Sequence, residues 1–262
     1  MTTHGHARRL WALDSPTLTV QSETLLYGTS GEITIPVPSF LIEHPKGLVV
    51  FDTGLHPDAI EHPDRVYGSE LAADLGIGGS KDSRLDRQIE ALGYKLSDVT
   101  HVISSHGHFD HTGGLFLFPE AKHYFGEGEL RYASWPDPIQ SFVYRREMLD
   151  TVRTLDVREV PGDLDLFGDG AITILATPGH SPGEVSLVVR LHSRTFILTG
   201  DAVHLRAALE QEYHFPIDAD TASAVRSLRK LKYLRESLDA TIWISHDPDD
   251  WAEFAHAPGF YE

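Results

Sequence analysis

His106-Gly107-His108-Phe109-Asp110-His111 sets three imidazoles and a carboxylate within six residues, and the chemistry such a donor set serves is cation binding. Neutral imidazole nitrogens and carboxylate oxygens suit zinc, cobalt, manganese or iron. In an extended segment His106 and His108 point to the same side, because the side-chain period is two, and both then reach one ion. Asp110 and His111 would face a second ion if the chain turns into a helix there, a turn that Thr112-Gly113-Gly114 permits. Four clustered donors therefore indicate two metals rather than one. A surface histidine cluster with incidental metal affinity is the competing explanation, and it gives no reason for this spacing.

The elements that must position these donors are strands. Thr100 to Ser105 carries the β-branched and small residues of a buried strand that ends at the cluster. Three further candidates also stand where an apolar run ends. His180 lies in Ala176-Thr177-Pro178-Gly179-His180-Ser181-Pro182-Gly183, between Ile172 to Leu175 and Val185 to Val189. Asp201 follows Phe196 to Gly200, and His246 follows Thr241 to Ser245. Phe51-Asp52-Thr53-Gly54 forms a turn after Gly47 to Val50.

This pattern resembles the metallo-β-lactamase superfamily, whose mark is a His-x-His-x-Asp-His loop followed by later ligands in this order. The resemblance covers residues 33–247. It implies an α/β fold of four layers (αβ/βα), two packed mixed β-sheets with helices on both outer sides. It also implies one metal held by His106, His108 and His180, a second held by Asp110, His111 and His246, and Asp201 bridging them. Such ions, roughly 3.5 to 4 Å apart, present a bridging hydroxide as nucleophile at neutral pH. Asp52 would orient a ligand or the loop that carries it, or else simply form its turn.

The combination of His-x-His-Phe-Asp-His-x-Gly-Gly, Thr-Pro-Gly-His-Ser-Pro-Gly and Gly-Asp-Ala, with a histidine after the last strand, is similar to the N-acyl-homoserine lactonase group. That resemblance implies a dinuclear hydrolase that opens a lactone ring, with zinc expected (cobalt, manganese or iron as alternatives) and often a homodimer. Asp110 would pass a proton to the leaving alkoxide. One position departs from the group: where its familiar members carry a tyrosine three residues after the bridging aspartate, this chain has His204. A histidine can donate the same hydrogen bond to the substrate carbonyl. Tyr213 and His214 are weaker substitutes.

Composition narrows the field. The formal charge of −17 argues against nucleic acid, whose binding draws on clustered Lys and Arg. The one basic concentration, Arg226 to Arg235, is interleaved with Val225, Leu228, Leu231, Leu234 and Leu238 and predicts an amphipathic helix with a solvated charged side, Asp218 or Asp220 near its start. With no cysteine, thiol-ligated β-lactamases, disulfides and thiol catalysis fall away. No Lys or Arg follows His246, which disfavours a glutathione thioester. Another thioester or ester, a phosphodiester, and a metal-binding protein without turnover remain as alternatives. The chain shows no membrane span, and its start lacks an apolar signal core, which predicts a cytoplasmic protein. His4 and His6 read as part of a frayed terminus.

Residues 1–262 read as one large domain without linker or repeat. Strands are expected over residues 18–52, including Glu32 to Val37 and Ser39 to Glu43. A helix is expected over 83–92, capped by Ser83, with Leu85, Ile89 and Leu92 on its apolar face and Gly93 as its stop. Residues 55–82, with Pro57, Pro63 and four glycines, read as an insertion that covers the site, contacts a partner chain, or is an inert loop. Tyr132, Trp135, Phe142 and Tyr144 are expected mostly to pack the core, with a pocket wall as the alternative.

Overall fold

Side chains alternate faces along a strand, so the central strands of this chain send every second residue to a different apolar layer. The computed structural model describes residues 4–262. In it, β1 (Arg9–Leu13), β2 (Thr17–Gln21), β3 (Glu32–Pro36), β4 (Ser39–His44) and β5 (Gly47–Phe51) open the fold. The helices α1 (Pro63–Tyr67), α2 (Ser69–Leu75) and α3 (Leu85–Ala91) follow. Then come β6 (Val99–Ile103), α4 (Phe109–Thr112), β7 (Lys122–Gly126), α5 (Glu129–Ser134), α6 (Arg146–Val152), β8 (Asp156–Val160), β9 (Leu164–Asp165), β10 (Ile172–Ala176) and β11 (Val185–Arg190). The chain finishes with β12 (Thr195–Leu198), α7 (Arg206–Gln211), α8 (Thr221–Ser237), β13 (Ala240–Trp243) and α9 (Pro248–Glu253).

Two mixed sheets result. One has the order β1-β4-β5-β6-β7-β8, antiparallel at its β1 end and parallel from β5 to β8. The other has the order β13-β12-β11-β10-β9, antiparallel except for β12 and β13. Phe40, Ile42, Val49 and Phe51 of the first sheet meet Leu187, Val189, Phe196, Leu198 and Trp243 of the second in a central layer. The intervening Leu41 and Val50 turn outward onto Ile89 of α3, and Val188 and Ile197 turn outward onto Leu228 and Leu231 of α8. Each such fully buried aliphatic side chain contributes roughly 1.5–3 kcal/mol. This is the four-layer arrangement expected from the sequence.

Several local expectations change. Ser83 does not cap α3: it lies in a preceding 3-10 turn and its Oγ donates to Asp14, leaving Arg84 at the N-cap. Asp220, not Asp218, caps α8, accepting from the backbone N–H groups of Ala222 and Ser223. The charged side of α8 faces solvent as expected, with Arg229 and Lys232 paired to Glu212, Arg235 to Glu210 and Lys230 to Asp163, and Arg226 donating to Ser223. Trp135 and Phe142 are exposed rather than packed, whereas Tyr144 is buried. The N-terminus is tied down from Gly5, which donates to Asp169 O, and His6 stacks on His192. Among the described residues no helix is long and apolar enough to cross a membrane.

Candidate metal centre

The candidate ligands sit where the strands end, on both sheets. After β6 the chain runs extended through His106 and His108, then makes the single turn α4, which swings Asp110 and His111 to the other side of the cluster. His180 lies in the β10–β11 connection, Asp201 follows β12, and His246 follows β13. All seven are buried. They gather into two groups: His106, His108, His180 and Asp201 in one, Asp110, His111 and His246 in the other.

Asp201 belongs to both by distance. Its Oδ2 is 3.9 Å from His106 Nε2 and 3.5 Å from His180 Nε2, while its Oδ1 is 3.2 Å from His111 Nε2 and 3.0 Å from His246 Nε2. Nitrogen lone-pair positions also face one another: His180 Nε2 lies 3.2 Å from His108 Nδ1, and His246 Nε2 lies 3.3 Å from His111 Nε2. Each separation suits an N–H···N hydrogen bond and equally two ligands of one ion. His106 Nε2 and Asp201 Oδ1 have no hydrogen-bond partner although both are buried. A cation in each group would supply what these atoms lack, so the donor set fits two divalent ions.

The electrostatics differ between the two groups. Burial, with the neighbouring imidazoles, pushes His106 and His108 well below the usual histidine range and keeps them neutral. Burial opposes ionisation of Asp201, but His246, His111 and His204 outweigh it and hold the carboxyl well below its usual value. On His111 burial is likewise outweighed, here by Asp201, Asp110 and Asp52, and its pKa rises.

Four ring nitrogens that face away from the cluster are engaged from behind. His111 Nδ1 is 2.9 Å from Asp52 Oδ2, and the other oxygen of Asp52 accepts from Ser105 N at 2.7 Å. Asp52 sits at φ +57, a left-handed conformation that costs a non-glycine residue of the order of 1 kcal/mol, and these two contacts fix it there. His246 Nδ1 is 2.7 Å from Pro36 O. Of these partners the sequence pointed only to Asp52. Ser105 Oγ is 3.0 Å from His106 Nδ1 with Glu184 Oε2 at 3.1 Å beside it, and Asp218 Oδ1 lies 3.2 Å from His180 Nδ1. Gln140 also escaped sequence reasoning: its amide donates to His180 O and Ile217 O and secures the same loop. The only sequence cue was an acid beside each apolar run.

The cluster floors a cavity of about 650 Å³. Its walls are Leu18, Val20, Leu25 and Ile35 from β2, β3 and their connection, Leu71 and Leu75 from α2, and Phe109, Phe142 and Phe215. His204 lines it too, with Nε2 3.0 Å from Asp201 Oδ2. Tyr213 and His214 do not line it; His214 packs edge-on against Tyr27. Among the described residues no Lys or Arg lines this cavity.

The metallo-beta-lactamase superfamily profile matches residues 34–246. The chain belongs to this superfamily. Within the superfamily it is 38% identical over 259 residues to the N-acyl homoserine lactonase AttM of Rhizobium radiobacter, covering 97% of this chain and 98% of the relative. It is 27% identical over 216 residues to an N-acyl homoserine lactonase of Bacillus cereus, covering 82% of each. A solved N-acyl homoserine lactone hydrolase, holding N-hexanoyl-L-homoserine at its catalytic metal centre, superposes with a TM-score of 0.86 at 24% identity over 98% of this chain and 100% of its own. The superfamily fold is thus shared along nearly the whole chain.

Proposed function

We propose that this protein is a dinuclear metal-dependent lactonase that opens N-acyl-L-homoserine lactones. The observation that carries the reading is Asp201, which gives one carboxylate oxygen to each donor group at the floor of an apolar cavity. The full-length similarity to AttM supports the substrate class. His106, His108 and His180 would hold one ion, Asp110, His111 and His246 the other, with zinc the proposed metal. When bound, such a pair polarises the lactone carbonyl and activates water near neutral pH.

The chain's own residues do the rest. Leu18, Val20, Leu71, Leu75 and Phe142 offer an acyl chain an apolar wall, with α2 of the 55–82 segment as cover. A wall without Lys or Arg suits an uncharged substrate and offers a phosphodiester or glutathione no counter-charge. His204, its Nε2 held beside Asp201 at the cavity wall, would donate its N–H to the lactone carbonyl oxygen. Asp110, on the cavity wall beside His111 and His246, would take the proton given up by the attacking water and hand it to the ring oxygen as the ester bond breaks.

A homoserine-lactone panel, followed by proton release beside a simple thioester, tests this on metal-analysed protein. Lactone turnover with about two ions per chain, lost in His108→Ala, is expected. Thioester turnover alone would replace the lactonase reading while keeping the metal centre.

A further inference from the structure

Glu129, the first residue of α5, is fully buried yet faces no cation among the described residues close enough to pair with it. Its carboxylate instead collects four donors. Oε1 accepts from the backbone N–H of Gly107 at 2.7 Å and from the Tyr144 hydroxyl at 2.8 Å. Oε2 accepts from the Ser181 hydroxyl at 2.5 Å and from the backbone N–H of Gly183 at 3.1 Å. Gly107 separates His106 from His108, and Ser181 follows His180. One side chain therefore ties together two loops, 72 residues apart at His108 and His180, whose imidazoles lie 3.2 Å from each other.

The surroundings are shaped to admit it. A Cβ at Gly107 would lie 3.0 Å from Glu129 Oε1 and 2.9 Å from the Tyr144 ring, and one at Gly183 would lie 2.5 Å from the Glu129 Cβ. Both glycines leave room for the carboxylate to reach backbone. The Tyr144 ring, held by the same carboxylate, stands edge-on to His108 at 4.6 Å.

We propose that Glu129 is a positioning residue for the metal centre: its two oxygens clamp the His106–His108 loop to the His180 loop and set the separation at which these imidazoles share an ion. The inference rests on the reading of those histidines as ligands. An ionised carboxylate takes this complement of four donors and donates nothing in return. Burial pushes its pKa upward and the four donors pull against that rise. An isosteric amide cannot substitute, because each oxygen faces a backbone N–H. Whichever way a glutamine side chain turned here, its NH₂ would oppose one of them.

The test is Glu129→Gln, read by chelator competition and by the exchangeable imidazole N–H resonances of the cobalt-loaded protein. About 10- to 100-fold weaker retention of one ion is expected. The His108 and His180 resonances should shift while those of His111 and His246 stay. Tyr144→Phe with Ser181→Ala removes one donor from each oxygen without adding a repulsive contact, so it decides the matter should Glu129→Gln fail to fold; about fivefold weaker retention is expected there. Wild-type retention in a folded Glu129→Gln, or in the double variant, overturns the inference alone. Wild-type protein that takes up no metal overturns the ligand reading and the inference together.

Discussion

The imidazole of His204 lies flat on the ring of Phe215, centroids 3.8 Å apart and planes 13° from parallel, with its Nε2 held at 3.0 Å by Asp201. A ring stacked on one face and bonded at one edge has little freedom, so His204 presents its donor from a fixed place on the cavity wall. Burial also lowers its pKa, against the pull of Asp201, and keeps it a neutral donor. His204→Ala should lower kcat by about 10²-fold, the scale of losing one donor to a developing oxyanion, with both ions retained. Steady-state kinetics beside metal analysis checks this. Unchanged turnover removes His204 from the mechanism.

The two donor groups should be separable by mutation. His246→Ala takes a ligand only from the group of Asp110 and His111, so the variant should keep one tightly held ion and lose the other to dialysis. Asp201→Ala removes an oxygen from both groups and should weaken both. Elemental analysis after dialysis distinguishes these patterns, and equal loss of both ions in His246→Ala would contradict the two-group geometry.

Acid should destabilise the fold through a histidine away from the centre. His101 on β6 packs against Phe167 and Tyr124, and burial, reinforced by Lys122, Arg158 and His44, lowers its pKa to about 4. Above the ordinary histidine pKa it is neutral folded and unfolded, and adds no pH dependence. As pH falls from about 6.5 the unfolded chain takes up a proton that the folded chain refuses until about 4, so stability is lost across that window. The loss is of the order of 1–2 kcal/mol, since the ring is only half buried and solvent screens it. His101→Phe should flatten this part of the acid slope. Urea midpoints of both proteins between pH 7.5 and 4.5 would show it, and parallel slopes would refute it.

The candidate ligand loop was legible because its chemistry is local: His106, His108, Asp110 and His111 lie within six residues, and the β6 run before them fixes their side. His180, Asp201 and His246 were legible for a related reason, each ending an apolar strand, once their order matched a known pattern. Glu184, Asp218 and Glu129 were not. Their meaning lies in a partner 78, 38 or 22 residues away, and that distance closes only when the sheets pack. Asp218 was placed only near the start of α8, where Asp220, two residues on and of the same chemistry, takes the cap. Ser83 was misread for the opposite reason, since Asp14 from the first strand's end claims its hydroxyl. Trp135 and Phe142 show that an aromatic residue carries no address: side-chain hydrophobicity alone does not say whether a loop carries it into the core or onto a rim.

The wall without Lys or Arg also bears on how the reaction ends. Ring opening converts a neutral lactone into a carboxylate, and the outer wall that meets it carries Glu32 and Asp74 but no Lys or Arg. Around it lies a chain of net charge −17. A product carboxylate that leaves the ions proposed at the floor therefore meets only acidic charge on its way out, and the wall that is indifferent to an uncharged precursor favours exit.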